Sequence, residues 1–284
     1  MVRLEYTFKN DTLFKMLFVQ YPDLLKRLVA ELLGIRIESI EEFTITNPEM
    51  PPEVIGDKFC RLDINMTVDG QLVDLEIQVT DEDDYGERSL YYWAREYSTA
   101  LVAGREYYDL PRTIIVSIIA FKLFECAEFH SEFQPLEVTR HTPLTDRMCL
   151  HYFELPKLPD TVSADNDLEL WLSLFKAETE EELTRIEALE APTMKQAIGA
   201  YRKVTATDEF KEIERLRSRA HHNEASALGH ARREAQKAER EKWQGAIADK
   251  DAAIADKNAA IADKDAAIAD KDALIAKLRA RLGE

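Results

Sequence analysis

Two acidic residues, Asp63 and Glu76, stand on either side of an Asp-Gly dipeptide in the stretch RLDINMTVDGQLVDLEIQV, which begins at residue 61. Asp69-Gly70 between two alternating apolar runs is a strong signal for a two-residue β-hairpin turn, because that turn needs positive φ angles that Asp and Gly tolerate. A turn of this length fixes the register of the two strands. The register predicts that Asp63 lies directly opposite Glu76.

Two carboxylates at opposed positions need an explanation, since directly opposed residues have Cβ atoms about 4.5–5.5 Å apart and like charges there repel. A divalent cation such as Mg2+ would offset the repulsion, because hard ions bind carboxylates together with waters and phosphate oxygens. Alternatively, the polar face of the hairpin is solvated and salt screens the charges. The hairpin alone leaves both interpretations open.

The elements before the hairpin are predicted to be helical. Asn10 or Asp11 can cap a first helix, and Pro22 suits the first turn of a second helix that ends before Gly34. Three prolines near NPEMPPE then predict a loop over residues 40–59.

After the hairpin, the sequence predicts a helix and then a buried strand. The segment ERSLYYWAREYSTALVAG predicts a helix closed by Gly104. Its core-facing residues are expected to be Leu90, Trp93, Tyr97 and Leu101. The run TIIVSIIAF, residues 113–121, is almost wholly apolar and indicates a central strand buried on both faces. Strand, helix and strand in this order imply a crossover, so the sheet should be mixed.

The second half of the chain is predicted to become progressively helical. Two further strands are expected at 129–138 and 148–154, followed by two short helices that complete a domain over residues 1–190. Residues 191–242 form a mildly basic helical segment, and residues 243–284 repeat a heptad. One isoleucine recurs in each repeat and forms one apolar column along the helix. A coiled coil needs a second apolar column, and Lys and Asp occupy much of it here. The tail therefore indicates an exposed helix or a weak oligomerisation stalk through which the chain could form a homo-oligomer.

Composition limits the classes of function. The 284 residues carry a net charge of −17, which argues against nucleic-acid binding through a general positive field alone. No apolar run is long enough for a membrane span, and the start lacks a signal peptide, so a cytoplasmic protein with no membrane partner is expected. The three cysteines, Cys60, Cys126 and Cys149, are too scattered for a disulfide framework and are expected to be reduced core residues. The histidines lack zinc-protease spacing, and no serine-hydrolase elbow or phosphate-binding loop is present.

The elements resemble, in order and spacing, one known family over roughly residues 5–185. The matching segments are KNDTLFKMLF, RLDINMTVDG, DLEIQV, RSLYYWAREYSTALVAGREYYDL, TIIVSIIAF, HYFELPKL and LELWLSLFK. They resemble the Rpn family, the recombination-promoting nuclease/putative transposase group of the PD-(D/E)XK nuclease superfamily. The resemblance implies an α/β fold with a restriction-endonuclease-like core, in which helices flank a mixed central sheet and a long helical tail follows.

The resemblance also implies a metal site and its chemistry. Asp63 and Glu76 match the acidic residues that bind Mg2+ or another divalent cation, and the backbone carbonyl of Ile77 would add a ligand. Gln78 stands where the superfamily motif has Lys; it can orient a water but carries no positive charge. By the register, Arg61 lies opposite Gln78 and supplies a positive charge or forms a salt bridge with the acids.

Four accessory residues are also predicted, three of them (Asp11, Lys15 and Arg88) from the same resemblance and Tyr92 from its aromatic character. Asp11 approaches the metal or caps the first helix. Lys15 and Arg88 are further sources of positive charge, and Tyr92 contacts DNA or packs in the core.

Two functions remain at this point. The first is a metal-dependent DNA endonuclease of low sequence specificity that promotes recombination or defends against foreign DNA. The second is a catalytically inactive nuclease fold that acts as an interaction and assembly module through its helical tail.

Overall fold

A computed structural model describes residues 2–47, 64–101, 104 and 106–282. Predictions on residues 48–63, which include much of the expected loop and Cys60, fall outside this part of the chain. The described elements are α1 (Asp11–Gln20), α2 (Pro22–Leu33), β1 (Phe43–Ile45), β2 (Ile64–Val68), β3 (Gln71–Gln78), α3 (Tyr85–Thr99), β4 (Thr113–Ile119), β5 (His130–Phe133), β6 (Met148–Glu154), α4 (Asp167–Lys176), α5 (Glu180–Ala188), α6 (Pro192–Ala206) and α7 (Asp208–Leu282).

The strands form one mixed sheet in the order β1-β2-β3-β4-β6-β5. Strands β1, β2 and β3 are antiparallel, β3, β4 and β6 are parallel, and β5 is antiparallel to β6. Helix α3 connects β3 to β4, as a parallel connection requires. The predicted mixed α/β architecture is confirmed.

The hairpin register is also confirmed for the described residues. Asp69 and Gly70 have φ angles of 47° and 75°, as a type I′ turn requires. Ile64 consequently pairs with Leu75. Local turn chemistry therefore sets which residues of β2 and β3 share a face.

The central strand β4 divides the apolar residues between two faces of the sheet. All seven of its residues are buried. The first face, marked by Ile114 and Val116, packs in the main core with helices α1, α2, α4, α5 and α6. The second face, marked by Ile115 and Ile119, packs in a smaller cluster beneath α3.

Helix α3 covers the second face with a set of residues that only partly matches the predicted one, since Trp93 is in both. Its buried residues are Tyr85 and Ser89, and Trp93 continues this column while its ring nitrogen donates to the carbonyl of Thr113 at 3.0 Å. Leu90 is 46% exposed, so its predicted core position is wrong. The helix ends at Thr99, five residues before the glycine expected to close it.

Three other local predictions need correction. Asn10, and not Asp11, caps α1: its side chain accepts from the Leu13 amide at 2.8 Å. The expected loop contains the short strand β1, which forms because it pairs with β2. Cys126 is exposed, whereas Cys149 is buried as expected.

The chain divides into two compact units, residues 1–217 and 218–284. In the first, α6 packs in the main core through residues such as Ile198 and Tyr201. The second is helical, and its repeated isoleucines are about half exposed. Each helix within the described residues is too short or too polar to pass through a lipid bilayer.

Candidate active site

Glu76 is a buried carboxylate in the middle of the second face. It lies beside Ser117 of β4, which in turn lies beside Tyr152 of β6. Only 4% of Glu76 is exposed, and Oε2 accepts a hydrogen bond from the Tyr85 hydroxyl at 3.1 Å. The solvated, screened face that the sequence left open is therefore wrong for Glu76, because α3 covers it.

Tyr85 is a partner of Glu76 that the sequence analysis missed. It begins α3 and is 1% exposed. Burial, and then the neighbouring Glu76 carboxylate, raise the pKa of the Tyr85 hydroxyl well above its usual range. The phenol therefore remains protonated at neutral pH and donates to Glu76.

Asp74 is a second buried acid on the same face. It lies two residues before Glu76 in β3, is 8% exposed and pairs with Asn65 of β2. The alternation of side chains along β3 could have identified it, because residues 74, 76 and 78 share one face. Three alternate positions of β3 on the second face thus carry polar side chains.

Gln78 and Arg88 lie close to Glu76 along the chain, but each has its own partner. The Gln78 amide nitrogen donates to the carbonyl of Thr80 at 2.7 Å. Arg88 forms an ion pair with Glu82 and lies over the ring of Tyr85, with its guanidinium carbon 5.0 Å from the ring centroid. Arg88 therefore adds positive charge beside the phenol that contacts Glu76.

Lys15 is a buried cation near the start of β2. Only 2% of the residue is exposed, and its ammonium donates to the backbone carbonyl of Asn47. The Asn47 side chain accepts from the backbone amide of Asn65 at 2.8 Å. Lys15 is thus connected through one residue to the strand that lies opposite Asp74.

The other accessory residues lie in ordinary surroundings. Asp11 is in the first turn of α1, and its Oδ2 lies 3.8 Å from the Arg217 guanidinium. Tyr92 is half-buried, and its ring makes an edge contact with Tyr91 at 5.8 Å. Neither observation assigns either residue to the metal or to DNA.

Arg61 and Asp63 lie outside the described residues. The expected opposition of Asp63 to Glu76, and the role of the Ile77 carbonyl as a ligand, therefore stay predictions. The described part of the hairpin reaches Ile64, the residue directly after Asp63.

Comparison with known proteins agrees with the fold. The family model for the PD-(D/E)XK nuclease family transposase matches residues 8–231 of the 284. No match was found among curated proteins or among solved structures. The matched range includes all six strands, the buried acids and helices α1 to α6, and on this basis the chain belongs to the PD-(D/E)XK nuclease family transposases.

Proposed function

We propose that the chain is a Mg2+-dependent DNA endonuclease of low sequence specificity, in which Asp63 and Glu76 bind the ion. The observation that carries this proposal is the buried carboxylate of Glu76, which accepts from the Tyr85 hydroxyl on a face of β3 that also carries the buried acid Asp74. Buried charged groups are hydrogen-bonded, paired or bound to a metal. A divalent cation bound by Glu76 would add positive charge beside both acids.

The hairpin supports Asp63 as the ligand on the neighbouring strand. Asp63 directly precedes Ile64, whose partner Leu75 directly precedes Glu76. Carboxylate oxygens are the donors that Mg2+ prefers, with the Ile77 carbonyl a further oxygen donor. The donor chemistry of these residues therefore fits a hard divalent cation.

Cleavage of a phosphodiester needs an activated water and relief of negative charge. A bound divalent cation lowers the pKa of a coordinated water and neutralises charge that develops on the phosphate. In this chain, Glu76 is fixed by the Tyr85 hydroxyl, and the Gln78 amide would orient the attacking water once it releases Thr80.

The missing motif lysine leaves positive charge to be supplied from elsewhere. We propose two sources of this charge. Arg61 is the residue that the register predicts opposite Gln78. Lys15 is the alternative, because its ammonium is buried and connected through Asn47 to Asn65 on β2. Arg88 is a weaker candidate, since its guanidinium pairs with Glu82.

The test is plasmid cleavage by the purified full chain, with and without Mg2+. We expect cleavage that needs the metal and is lost in both Asp63→Ala and Glu76→Gln. Glu87→Gln removes an exposed carboxylate from α3 and is the matched control, which should cleave normally. Cleavage that survives either site substitution contradicts the proposed site.

Lack of cleavage by the unaltered chain under every divalent cation would instead favour the inactive interaction module. Lys15→Met tests the cation assignment separately. It should reduce the cleavage rate while Mg2+ still binds, as measured by calorimetry. An unchanged rate excludes Lys15 as the source of positive charge.

We further propose that α7 assembles two or more copies of this chain. An isoleucine recurs every seventh residue and is 47–56% exposed at each position, namely Ile247, Ile254, Ile261, Ile268 and Ile275. Pairing with a second helix would bury this apolar column. Sedimentation of the full chain and of a truncation after residue 242 tests this: an equal number of chains per particle in both samples contradicts it.

A cytoplasmic location is proposed on the basis of the cysteines. Cys126 and Cys149 are both free thiols. Reduced thiols are typical of compartments that keep disulfides from forming.

A further inference from the structure

A second group of chemically reactive side chains lies at the β5–β6 edge of the sheet. The register pairs Glu132 of β5 with His151 of β6, and Cys149 lies two residues before His151. Because alternate residues share a face, all three side chains project to the first face. Glu76 lies on the second face, so the sheet separates this group from the candidate active site.

The three side chains bring three donor atoms together. The Cys149 sulfur lies 3.1 Å from Nε2 of His151 and 3.3 Å from Oε1 of Glu132. A carboxylate oxygen, the sulfur and an imidazole nitrogen all lie within 4.8 Å of one another. Glu132 is exposed, whereas Cys149 and His151 are buried, so one side of the group is open to solvent.

These separations suit a tetrahedral metal ion. With Zn–S near 2.3 Å and Zn–N and Zn–O near 2.0–2.2 Å, tetrahedral ligand atoms lie roughly 3.3–3.6 Å apart. The two contacts of the Cys149 sulfur, at 3.1 and 3.3 Å, are shorter than these values by roughly 0.2–0.5 Å, as expected for groups that hydrogen-bond directly to one another. The carboxylate oxygen and the imidazole nitrogen lie within 4.8 Å of each other. Small movements of the three side chains would therefore admit an ion.

Neighbouring residues already hold two of the three side chains, His151 and Glu132, in place. His130 Nε2 lies 3.0 Å from His151 Nδ1, and the two imidazole rings stack at an interplanar angle of 8°. The Gln134 amide donates to Glu132 Oε1 at 2.5 Å. A hydrogen bond to the second nitrogen of a ligating histidine is typical of metal sites, where it fixes the ring and its tautomer.

One of the two buried side chains, His151, is already in its metal-binding form, and Cys149 must lose a proton to bind. Burial lowers the pKa of His151 to about 4, so its imidazole is neutral at physiological pH, which is the form that binds metals. Burial also raises the pKa of the Cys149 thiol to about 11, so without a cation the thiol keeps its proton and contacts Glu132. Binding of the ion would release that proton to solvent, and the thiolate would bind the ion.

We propose that Glu132, Cys149 and His151 bind one Zn2+ ion, with water in the fourth position. Thiolate with imidazole selects zinc over hard ions such as Mg2+, which prefer oxygen alone. The ion would join the four-residue edge strand β5 to β6. The side chain of His130 would act as a positioning residue for His151.

The experiment measures zinc on the full, tag-free chain after chelation and dialysis. We expect one Zn2+ per chain by calorimetry and elemental analysis. Substitution with Co2+ should give a thiolate-to-cobalt charge-transfer band together with the intense visible bands of four-coordinate cobalt. Absence of zinc binding, or cobalt binding without the thiolate band, overturns the proposal.

Variants locate the site. Glu132→Gln and Cys149→Ser should each weaken zinc binding more than tenfold, and His130→Asn should weaken it about 10–100-fold, as is usual for a residue that hydrogen-bonds to a ligand. Cys126→Ser and Glu128→Gln alter an exposed thiol and an exposed carboxylate and should bind zinc normally.

Two results decide whether Glu132, Cys149 and His151 bind zinc. Unchanged zinc affinity in Glu132→Gln overturns the proposal, since this exposed edge residue can be replaced without disturbing the core. If Cys149→Ser does not fold, the cobalt spectrum of the unaltered chain still reports whether sulfur is a ligand.

Discussion

The hydrogen bond from Tyr85 to Glu76 can be tested by removing one atom. Tyr85→Phe deletes the hydroxyl and keeps the ring, which packs at edge-on angles against Phe121 and Tyr152. The substitution leaves the Glu76 carboxylate buried without this donor. Any loss of stability therefore reports on the hydroxyl and not on packing.

The structure sets the expected size of the effect. The donor is 1% exposed and the acceptor 4% exposed, so water cannot readily replace the lost bond. A hydrogen bond to a charged group contributes about 1.5–3 kcal/mol. For a folded unit of about 200 residues, each kcal/mol shifts the melting temperature by roughly 2–4 °C, so we expect Tyr85→Phe to lower it by roughly 3–12 °C.

Urea unfolding monitored by circular dichroism measures this free energy. Tyr91→Phe is the matched control, because Tyr91 lies on the same helix and is 63% exposed. It should change the free energy of unfolding by no more than about 0.5 kcal/mol. A double-mutant cycle with Glu76→Gln isolates the coupling between the two groups. A Tyr85→Phe variant as stable as the Tyr91→Phe control would refute the buried contact.

Three further substitutions test features away from this bond. Lys157→Met should lower the free energy of unfolding, measured in urea, by about 3–5 kcal/mol. The reason is that it leaves the fully buried Glu154 carboxylate, which lies 2.5 Å from the lysine ammonium, without its cation. A loss below about 1 kcal/mol would contradict a buried ion pair. A hydrogen bond from the Glu178 backbone amide lowers the pKa of the Glu182 carboxyl below 4.5. The loss of stability in Glu182→Gln should therefore be largest above pH 4.5 and should shrink when thermal unfolding is measured at lower pH. A difference in stability that does not change with pH would exclude this linkage. Asn10→Ala should cost about 1 kcal/mol in urea unfolding through the lost cap of α1, and a neutral result would mean that the cap is not needed.

The sequence predicted the elements whose signals are local. Asp69-Gly70 fixed the hairpin register, because the turn alone determines which residues pair. Pro22 and Gly34 bounded α2 at both ends, with Gly34 at a φ of 64°. The apolar run of β4 identified a strand buried on both faces.

What the sequence did not predict depends on contacts between distant segments. Tyr85 became part of the candidate site only because α3 lies over the second face, and no local pattern states where a helix docks. The apolar character of Leu90 predicts a core position, yet Leu90 is exposed and the neighbouring Ser89 is buried instead. The three residues of β1 form a strand through pairing with β2 and carry little propensity signal of their own.

The repeated tail of α7 gives the chain an adjustable length. Each unit, as in IADKDAA, has seven residues and extends a helix by about 10.5 Å. Adding or deleting one whole unit rotates the far end by only about 20°, because seven residues nearly complete two turns. In-frame gain or loss of repeats would therefore change the length of the helix in fixed steps and keep the apolar residues on the same side of it.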